Sequence, residues 1–437
     1  MSEVKESTIR QMTRLANEHC AVNLSQGFPN EAPPLDVRLA LAHAVVVGQP
    51  VEEGDEGNHH HYNSLLRHLS SMSMSSSSET PSEDISDSGG GLSSDILNQY
   101  SPPMGRGDLR SAISAYYKRL YDYDVDSDNI TVTLGATEAV ASSLRSLGKP
   151  SDKVVIFEPF HELYPSQCRL FYLQPTYVTL RPAHDNASWM FDPLELEEAM
   201  KDARLLILNT PHNPTGKVFT RKELQIIVDL CLKYSVYVIS DEIYEHMCYS
   251  ESHGHILLPQ AFPEVANLCL ICNSLGKSAS ATGWRLGWCI HPPHISDTFR
   301  GIHDQLVVMS PHPVQYAALT YLSLPDQYFR EELKERYQGR IKLLAGTLQE
   351  LGFGLTPVEG AYYLFVRYRN VKALAYFDSP MEAAMYLLEK VGVACVPGDN
   401  FYGKAVEEQG NQYLRFAGCR SEADIKEACS RLRAHLG

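Results

Sequence analysis

Short apolar runs alternate with helical stretches from about residue 129 onward, and this alternation constrains the fold more than any other feature of the chain. The apolar, β-branched runs are NITVTL, KVVIFEP, PTYVTL, ARLLILNTP, VYVISDE, ANLCLICNS and RLGWCIHP. Runs of this composition are buried on both faces, and the helices between them cover the two faces of a largely parallel sheet. Ligands of such sheets bind at the carboxyl ends of the strands. The sequence therefore predicts an α/β fold with a functional site along that edge.

The pattern changes after about residue 298, where long amphipathic helices replace the regular alternation. The helical stretches are roughly 312–350 and 381–391, and short strands lie near 361–366, 393–397 and 413–417. This arrangement indicates a smaller α+β domain over residues 299–437, beside a large domain over residues 97–298. We expect the amino-terminal residues 1–47 to join the smaller domain.

Residues 48–96 differ in composition from the rest of the chain. Serine, glycine and acidic residues dominate this segment, for example in SSMSMSSSSETPSEDISDSGGG. Such a segment offers too little apolar surface to offset the entropy that ordering would cost. We predict a disordered insertion whose flexible loop leaves the fold intact, because loop closure entropy grows slowly with length.

Two features could bind a metal ion. The triplet of His59, His60 and His61 has no second group of ligands apparent in the sequence, so we expect a solvated tract. The CxxC pair, Cys269 and Cys272, lies in a strand-like run whose alternation directs the two thiols to opposite faces. We therefore expect no metal site and no redox site.

Charge and hydropathy narrow the class of protein further. The formal net charge of −15 disfavours non-specific binding to nucleic acid, which needs a basic surface. The longest apolar runs, such as 39–48 and 203–210, are far shorter than the roughly 20 residues that span a bilayer. Residues 1–20 lack both the apolar core of a signal peptide and the acid-poor character of a transit peptide. We expect a cytoplasmic protein without nucleic-acid or membrane partners.

The stretch NSLGKSASATGWRLGW, residues 273–288, places a hydroxyl, an amine and a guanidinium close together just after an apolar strand. Lys277 can condense with an aldehyde as a Schiff base, while Ser274 and Arg285 can bind a phosphate dianion. Pyridoxal phosphate is the obvious candidate for a phosphorylated aldehyde. Taken alone, the stretch is also compatible with a surface lysine and an arginine in a structural ion pair.

Three further motifs follow strand ends. In GATEA, residues 135–137 lead into a helix whose unpaired amides and dipole favour a phosphate. In PHNPTG, two prolines hold the backbone rigid, so the amide of Asn213 can be aimed at a ligand. ISDEIYEH supplies Asp241 and Tyr244, and a carboxylate buried at a strand end needs a cation such as a pyridinium. Each motif alone is compatible with an ordinary turn, a helix cap or a packed aromatic.

The motifs together resemble the fold-type I, class I and II family of pyridoxal phosphate-dependent aminotransferases. The chain is most similar to the subgroup of kynurenine and glutamine transaminases and aspartate transaminase-like enzymes. The phrases that carry the resemblance are NLSQGFP, NQYSPPMG, TLGATEA, FEPFHELY, NTPHNPTGKVF, ISDEIYEH, SLGKSASATGWRLGW and YLRFAGC. They cover residues 20–47 and 98–437. The resemblance implies a large domain with a mostly parallel sheet sandwiched by helices, a smaller α+β domain, and a homodimer with shared active sites.

The resemblance also implies a role for each matching position. Lys277 would bond to the cofactor's aldehyde, and Asp241 would pair with the pyridine nitrogen. Tyr244 and Asn213 would contact the ring hydroxyl. The remaining positions would hold the phosphate (Gly135, Ala136, Thr137, Ser274, Arg285 and, toward the neighbouring subunit, Tyr100), stack on the ring (Phe160) or bind the substrate's α-carboxylate (Arg415, Gly27 and Asn213).

The implied reaction moves an amino group from an L-amino acid to a 2-oxo acid by ping-pong kinetics, with Lys277 carrying a proton from the substrate's Cα. Val308 and Met309 are the positions expected to face the partner's substrate pocket, and Ile9, Phe28 and Tyr362 are expected nearby. All are apolar or aromatic, so a neutral, aromatic or sulfur-containing side chain fits better than a dicarboxylate, which would want an arginine.

Alternatives remain open from the sequence. A lyase that eliminates a thiol from cysteine conjugates would use the same Lys277 and Asp241. A catalytically inactive paralogue, disabled by the insertion next to Tyr100, would keep the same motifs. A pyridoxal-binding regulator would carry a DNA-binding domain, for which we see no room before NLSQGFP.

Overall fold

The computed structural model describes residues 6–50, 65, 95–183, 187–250, 254–403 and 407–437. Most of the predicted insertion, including the triplet from His59 to His61, lies outside the described residues. No helix in the described part of the chain is long and apolar enough to cross a membrane. Within the same ranges, no group of three or more His, Cys, Asp or Glu side chains could hold a metal ion.

Helices and strands are numbered in chain order. The helices are α1 Thr8–Glu18, α2 Leu35–Val47, α3 Gly107–Tyr121, α4 Ala136–Leu147, α5 Leu163–Leu170, α6 Pro193–Met200, α7 Arg221–Tyr234, α8 Leu258–Ala261, α9 Leu275–Ser278, α10 Ser296–Val307, α11 His312–Leu322, α12 Leu333–Glu350, α13 Pro380–Tyr386, α14 Glu407–Gly410 and α15 Glu422–Leu436. The strands are β1 Val22–Asn23, β2 Ile130–Thr133, β3 Lys153–Glu158, β4 Gln174–Thr179, β5 Arg181–Pro182, β6 Trp189–Met190, β7 Ala203–Asn209, β8 Tyr237–Asp241, β9 Cys269–Ser274, β10 Gly287–Ile290, β11 Tyr363–Arg367, β12 Val393–Ala394, β13 Val396–Pro397 and β14 Tyr413–Ala417.

The main sheet has the strand order β2-β10-β9-β8-β7-β3-β4 among the described residues. Neighbouring strands run parallel except β10, which is antiparallel to both β2 and β9. Gly287, the first residue of β10, pairs with Thr133 and with Ser274, which are the last residues of β2 and β9. The start of β10 therefore lies at the edge where the parallel strands end. The predicted α/β fold with a mostly parallel sheet is confirmed.

Both faces of this sheet are covered, as the apolar runs predict. Val155 and Phe157 of β3 enter one hydrophobic core, while Val154 and Ile156 enter the other, because side chains alternate along a strand. Helix α7 shows how a covering layer forms. Thr220 caps its start in a reciprocal capping box with Glu223, and an apolar stripe along the helix is buried (Leu224, Ile227, Val228, Leu230 and Cys231).

The carboxyl-terminal part contains a three-stranded antiparallel sheet in the order β11-β14-β13. The amino-terminal strand β1 pairs in parallel with β12, and Ala417 donates its N–H to Leu24 O at 2.8 Å. Residues 22–24 thus join the carboxyl-terminal elements. The predicted helical stretch 312–350 is interrupted after Leu322, because Pro325 lacks an N–H and disfavours the helical conformation of the residue before it.

The two ends of the insertion are held side by side. Leu97 donates its N–H to Gly48 O at 2.9 Å, and the Leu97 side chain packs with Ala44 and Tyr316 in a small core of its own. Gly48 ends α2 in the left-handed conformation, with φ of 73°, which glycine adopts without strain. Gly48 and Leu97, which lie at the two ends of the predicted insertion, are therefore adjacent in the structure.

We predict that deleting residues 51–94 leaves the fold intact, because Gln49, Pro50, Asp95 and Ile96 suffice to connect ends that are already hydrogen-bonded. The melting temperature, measured by circular dichroism, should stay within about 2 °C of the wild-type value. Leu97→Ala is the matched control, and its buried cavity should lower the melting temperature by about 5 °C. A deletion variant that melts as low as this control would show that the insertion stabilises the fold.

Candidate active site

A lysine lies in the short helix α9, directly after β9 ends. Lys277 donates a hydrogen bond from Nζ to Gly27 O. The pKa of its amine is lowered to about 8, chiefly because burial disfavours the charged form and further because Arg415 and Arg285 are positive. Asp241 acts in the opposite direction. An amine with this pKa is partly unprotonated near neutral pH, so it can act as a nucleophile and as a base.

A buried carboxylate lies at the end of β8. Asp241 is 3% exposed; one oxygen accepts the Tyr164 hydroxyl, and the other accepts the N–H of Ile243 at 3.4 Å. Its pKa is raised to about 6, because burial disfavours the charge more than the hydrogen bond from Tyr164 favours it. In the described ranges, Asp241 forms no ion pair with a lysine or arginine. A cation placed beside it would stabilise its charged form.

The loop after β7 is fixed to β8 by one amide side chain. Asn209 donates from Nδ2 to Asp241 O at 3.1 Å, and its Oδ1 accepts the N–H of Asn213 at 2.8 Å. The peptide bonds Thr210–Pro211 and Asn213–Pro214 are cis. Asn213 Oδ1 in turn accepts a hydrogen bond from Arg415 Nη1 at 3.0 Å. The amide of Asn213 therefore points from the main sheet toward the carboxyl-terminal sheet.

Arg415 is a buried guanidinium in the central strand of that second sheet. It is 1% exposed, donates from Nη2 to Ser25 O at 2.7 Å, and lies 4.5 Å from the ring centroid of Tyr363 and 4.8 Å from that of Phe401. Its Nε is buried without a hydrogen-bond partner. No carboxylate of the described residues forms an ion pair with Arg415. A buried guanidinium in this state favours an anionic ligand.

Aromatic side chains surround the backbone at Gly27. The hydroxyls of Tyr244 and Tyr363 lie 2.9 Å apart, and Tyr362 donates its hydroxyl to Gly27 O at 3.2 Å. A Cβ at position 27 would lie 1.8 Å from the Tyr363 hydroxyl, so glycine is required there. These contacts hold the carbonyl of Gly27 beside the Lys277 amine.

The turn between β2 and α4 forms a glycine-lined cradle. Gly135 has φ of 76°, and a Cβ there would lie 2.8 Å from Arg285 Nη2. The same nitrogen is 3.5 Å from Thr137 Oγ1. A Cβ on Gly287 would lie 2.8 Å from the backbone nitrogen of Ala136. Ser274, the residue opposite Gly287 in the sheet, completes a set of donors suited to an anion at a helix start.

Several predicted site residues lie outside this group. Tyr100 is 81% exposed and Val308 is 49% exposed, whereas Met309 Sδ accepts the N–H of Ser101 at 3.0 Å. The ring of Phe160 stacks on Tyr177, with centroids 5.2 Å apart, within one of the two main cores. The predicted stacking of Phe160 on a ligand ring therefore does not fit the structure, since its side chain is committed to the core.

The residue next to it, which the sequence analysis did not select, lies near the candidate site. His161 lies edge-to-face against Tyr164, the tyrosine bonded to Asp241, with centroids 5.6 Å apart. Its Nδ1 is buried without a partner. Its pKa is lowered to about 3, mainly by burial and also by the positive charges of Arg415 and Lys277, so the imidazole is neutral. The sequence signal that could have found His161 is its place directly after FEPF, residues 157–160.

Comparisons with known proteins show which family the chain resembles in sequence and in structure. A family model described as aminotransferase class I and II matches residues 75–432. A Saccharomyces cerevisiae protein named as a probable kynurenine–oxoglutarate transaminase is 33% identical over 358 residues, covering 77% of this chain and 80% of that protein. A methionine aminotransferase of Escherichia coli is 29% identical over 425 residues, covering 97% of this chain and 94% of the other. The solved structure of N-succinyldiaminopimelate aminotransferase from Mycobacterium tuberculosis superposes with a TM-score of 0.81 at 28% identity, covering 98% of this chain and 97% of that one.

We predict that the Lys277 amine titrates near pH 8 in the protein without ligands, because its surroundings lower its pKa to about 8. Reductive ¹³C-methylation followed by NMR titration measures this midpoint directly. Ordinary lysines titrate near pH 10.4. Lys277→Arg is the control that separates this resonance from the α-amino group, which also titrates near pH 8. If the only resonance with a midpoint below pH 9 persists in Lys277→Arg, the assignment is wrong.

Proposed function

The chain belongs to the class I and II aminotransferase family, and from this premise we propose which substrates it uses and which side chains do the chemistry. It is a pyridoxal phosphate-dependent aminotransferase, which transfers an amino group between an amino acid and a 2-oxo acid. We propose that its amino donors are L-amino acids with neutral, aromatic or sulfur-containing side chains. The observation that carries the site assignment is the convergence of the partly buried Lys277 with the buried Asp241 and Arg415, none of which forms an ion pair among the described residues.

Pyridoxal phosphate fits the residues at the strand ends. Asp241 forms no ion pair with a lysine or arginine in the described part of the chain, and a pyridinium nitrogen would supply a cation there. The cradle of residues 135–137 with Arg285 suits a phosphate. When bound, the cofactor supplies an electron sink for negative charge that develops at the substrate's Cα. Lys277 would hold its aldehyde carbon, Asn213 and Tyr244 its ring hydroxyl, and Ser274 a phosphate oxygen.

Lys277 is the proposed proton carrier. Its Nζ would accept the proton from the substrate's Cα and pass it to the cofactor's aldehyde carbon, and it would move a proton in the reverse direction during the second half-reaction. The low pKa of Lys277 serves this step, because an amine that stayed protonated at neutral pH could not accept a proton. Gly27 O, which now accepts the hydrogen bond from Nζ, keeps the amine at the edge of the sheet.

Arg415 is the proposed anchor for the substrate's α-carboxylate. Its planar fork can bind a carboxylate through two parallel hydrogen bonds, a geometry that an ammonium group cannot reproduce. Asn213 Oδ1 and Ser25 O hold the guanidinium in place through its two terminal nitrogens. The unpartnered Nε leaves a donor free for the ligand.

His161 is the proposed neighbour of the cofactor ring, in the role that the sequence assigned to Phe160. Its neutral imidazole packs against Tyr164, which is hydrogen-bonded to Asp241. It is also close enough to Lys277 for the lysine's charge to lower its pKa. Because it carries no charge, it presents a flat aromatic face without competing with Asp241 for the ring nitrogen.

The preference for uncharged side chains rests on the aromatic lining. Tyr244, Tyr362 and Tyr363 pack against one another beside Gly27, and each is buried. Ile9 of α1 is also buried, and Phe28 stacks against Arg420 at 4.3 Å. The relatives named for kynurenine and for methionine act on amino acids whose side chains are aromatic or contain sulfur, which agrees with such a lining.

We propose that the active form is a homodimer with shared sites. Large apolar side chains are exposed on α2, on the segment that carries Tyr100 and at the end of α10 (Leu35, Val45, Val46, Ile96, Tyr100, Leu306 and Val308). These elements are neighbours, since Asn98 Nδ2 donates to Val45 O at 3.1 Å and Ser101 N–H bonds to Met309. A second copy would bury this surface and bring Tyr100 toward the partner's phosphate.

The substrate proposal predicts the outcome of a panel of amino donors and oxo-acid acceptors. Methionine, aromatic amino acids, kynurenine or glutamine should convert pyridoxal phosphate to its amino form and yield the matching oxo acid, whereas aspartate should react at least about tenfold more slowly. Arg415→Lys should raise KM for the donor about tenfold or more while cofactor affinity changes little. Arg420→Lys, another buried arginine that stacks on a ring, is the control and should change KM less than about threefold.

Two results of the panel would contradict the proposal. Equal losses of donor and cofactor affinity in Arg415→Lys would remove the carboxylate role. Release of a thiol and pyruvate from a cysteine conjugate without any oxo acid, with no transfer to acceptors, would identify a lyase, and no reaction with any donor would identify an inactive paralogue.

The dimer proposal predicts that the wild-type protein sediments as a dimer at micromolar concentration. Val45→Glu should shift it toward monomer, because a charge would be buried in the apolar surface. Leu170→Glu is the matched control, since Leu170 is also exposed but lies on α5, away from that surface. A monomeric wild type, or equal effects of both substitutions, would contradict the proposed interface.

A further inference from the structure

A histidine on α10 and a glutamate on α4 form a buried pair behind the phosphate cradle. His303 is 0% exposed, and its Nδ1 lies 3.2 Å from Glu138 Oε2. Glu138 lies in the first turn of α4, whose start forms the cradle. Neither side chain has a role in the chemistry proposed above.

The hydrogen bonds around this pair fix where its protons lie. His303 Nε2 is 2.8 Å from Pro103 O, which can only accept, so Nε2 carries a proton. Glu138 accepts the N–H of Leu134 at 3.1 Å on Oε2 and the Ser142 hydroxyl on Oε1. Because a carboxylate oxygen only accepts hydrogen bonds, Nδ1 carries the proton that lies between it and Oε2. The imidazole is therefore bonded on both nitrogens.

The ionisation of His303 agrees with this arrangement. Burial lowers its pKa, but the hydrogen bond and the charge of Glu138 raise it more, with smaller contributions from Pro103 O and Asp304, so the net pKa is raised. The raised pKa favours the protonated imidazole beside Glu138. A buried carboxylate without this partner would be costly.

The pair contacts Leu134, the residue that precedes Gly135. The N–H of Leu134 is held by Glu138, while Leu134 O lies 3.5 Å from Arg285 Nη2. The orientation of this residue determines where Gly135 and the first amides of α4 point. Any loosening of Glu138 would therefore reach the cradle and its arginine.

We propose that His303 is a positioning residue for the cofactor phosphate, acting through Glu138 and Leu134 on the cradle of residues 135–137. This inference rests on the proposed location of the phosphate at that cradle. The other nitrogen of His303, Nε2, donates to Pro103 O in the segment that follows Tyr100. The same segment is held to β2, because Met104 O accepts the N–H of Val132 at 3.0 Å. One side chain thus joins the phosphate cradle of its own subunit to the segment that, in the proposed dimer, serves the partner.

Two substitutions separate the roles of the two imidazole nitrogens of His303. The amide nitrogen of Asn occupies a place similar to Nδ1, so His303→Asn can still donate to Glu138. The amide nitrogen of Gln is similar to Nε2, so His303→Gln keeps the bond to Pro103 O and leaves Glu138 without its partner. The two variants differ in volume by one methylene and are otherwise matched.

The test compares equilibrium affinities of the cofactor-free protein for pyridoxal phosphate and for pyridoxal, which lacks the phosphate, by absorbance titration. His303→Gln should weaken binding of the phosphorylated form about tenfold or more. Its affinity for pyridoxal should change less than about threefold, and His303→Asn should stay within about threefold for both ligands. Thr137→Ala is the reference for the cradle and should show the same phosphate-selective loss.

Four results would contradict the inference or the cradle on which it rests. Equal losses for the two ligands in His303→Gln would indicate a general structural role, and a loss in His303→Asn as large as in His303→Gln would exclude the contact with Glu138. If Thr137→Ala selectively loses affinity for the phosphorylated ligand and His303→Gln does not, the role of His303 fails while the proposed function stands. If the wild-type protein binds the two ligands equally well, the proposed cradle fails. Should His303→Gln not fold, Glu138→Leu, which removes the acceptor for Leu134 N–H, carries the same comparison.

Discussion

Buried and partly buried charged groups that form no ion pairs among the described residues define the candidate active site. Asp241 lies at the end of β8 and Arg415 lies in the second sheet, and neither forms an ion pair with any residue that the structure describes. Lys277 carries an amine whose pKa is lowered to about 8, chiefly by burial. Such an arrangement is costly in an empty protein, because a low-dielectric interior penalises isolated charges. It is favourable once a cofactor with a ring cation and a phosphate, and a substrate with a carboxylate, provide the opposite charges.

The sheet makes this arrangement possible. Parallel strands bring their carboxyl ends to one edge, so residues far apart in sequence reach the same site. The antiparallel strand β10 adds Arg285 to that edge, because it begins where its neighbours end. The carboxyl-terminal sheet brings Arg415 from the opposite side, and β1 and β12 bind the amino-terminal segment so that Gly27 O meets Lys277. In our proposal, the His303–Glu138 pair supports the cradle of residues 135–137 from behind.

Much of this could be predicted from the sequence, and the reason is physical. Strands buried on both faces are continuous apolar runs, and catalytic side chains that follow them must share an edge, so Lys277, Asp241, Asn213 and Arg285 were expected together. The direction of Phe160 and His161 could not be predicted, since it depends on how the chain turns after β3 rather than on composition. The partnership of His303 and Glu138 was equally hidden, because the two residues are 165 positions apart and each alone is an ordinary buried polar residue.

The central claim is that the amine of Lys277 is the group to which pyridoxal phosphate bonds. Borohydride reduction of the cofactor-loaded protein, followed by peptide mass spectrometry, tests this claim most directly because reduction makes the bond permanent. The account predicts a pyridoxyl-phosphate adduct on the peptide that contains Lys277 and on no other lysine. An adduct on a different lysine, or no adduct on any peptide of a protein that has bound the cofactor, would contradict it.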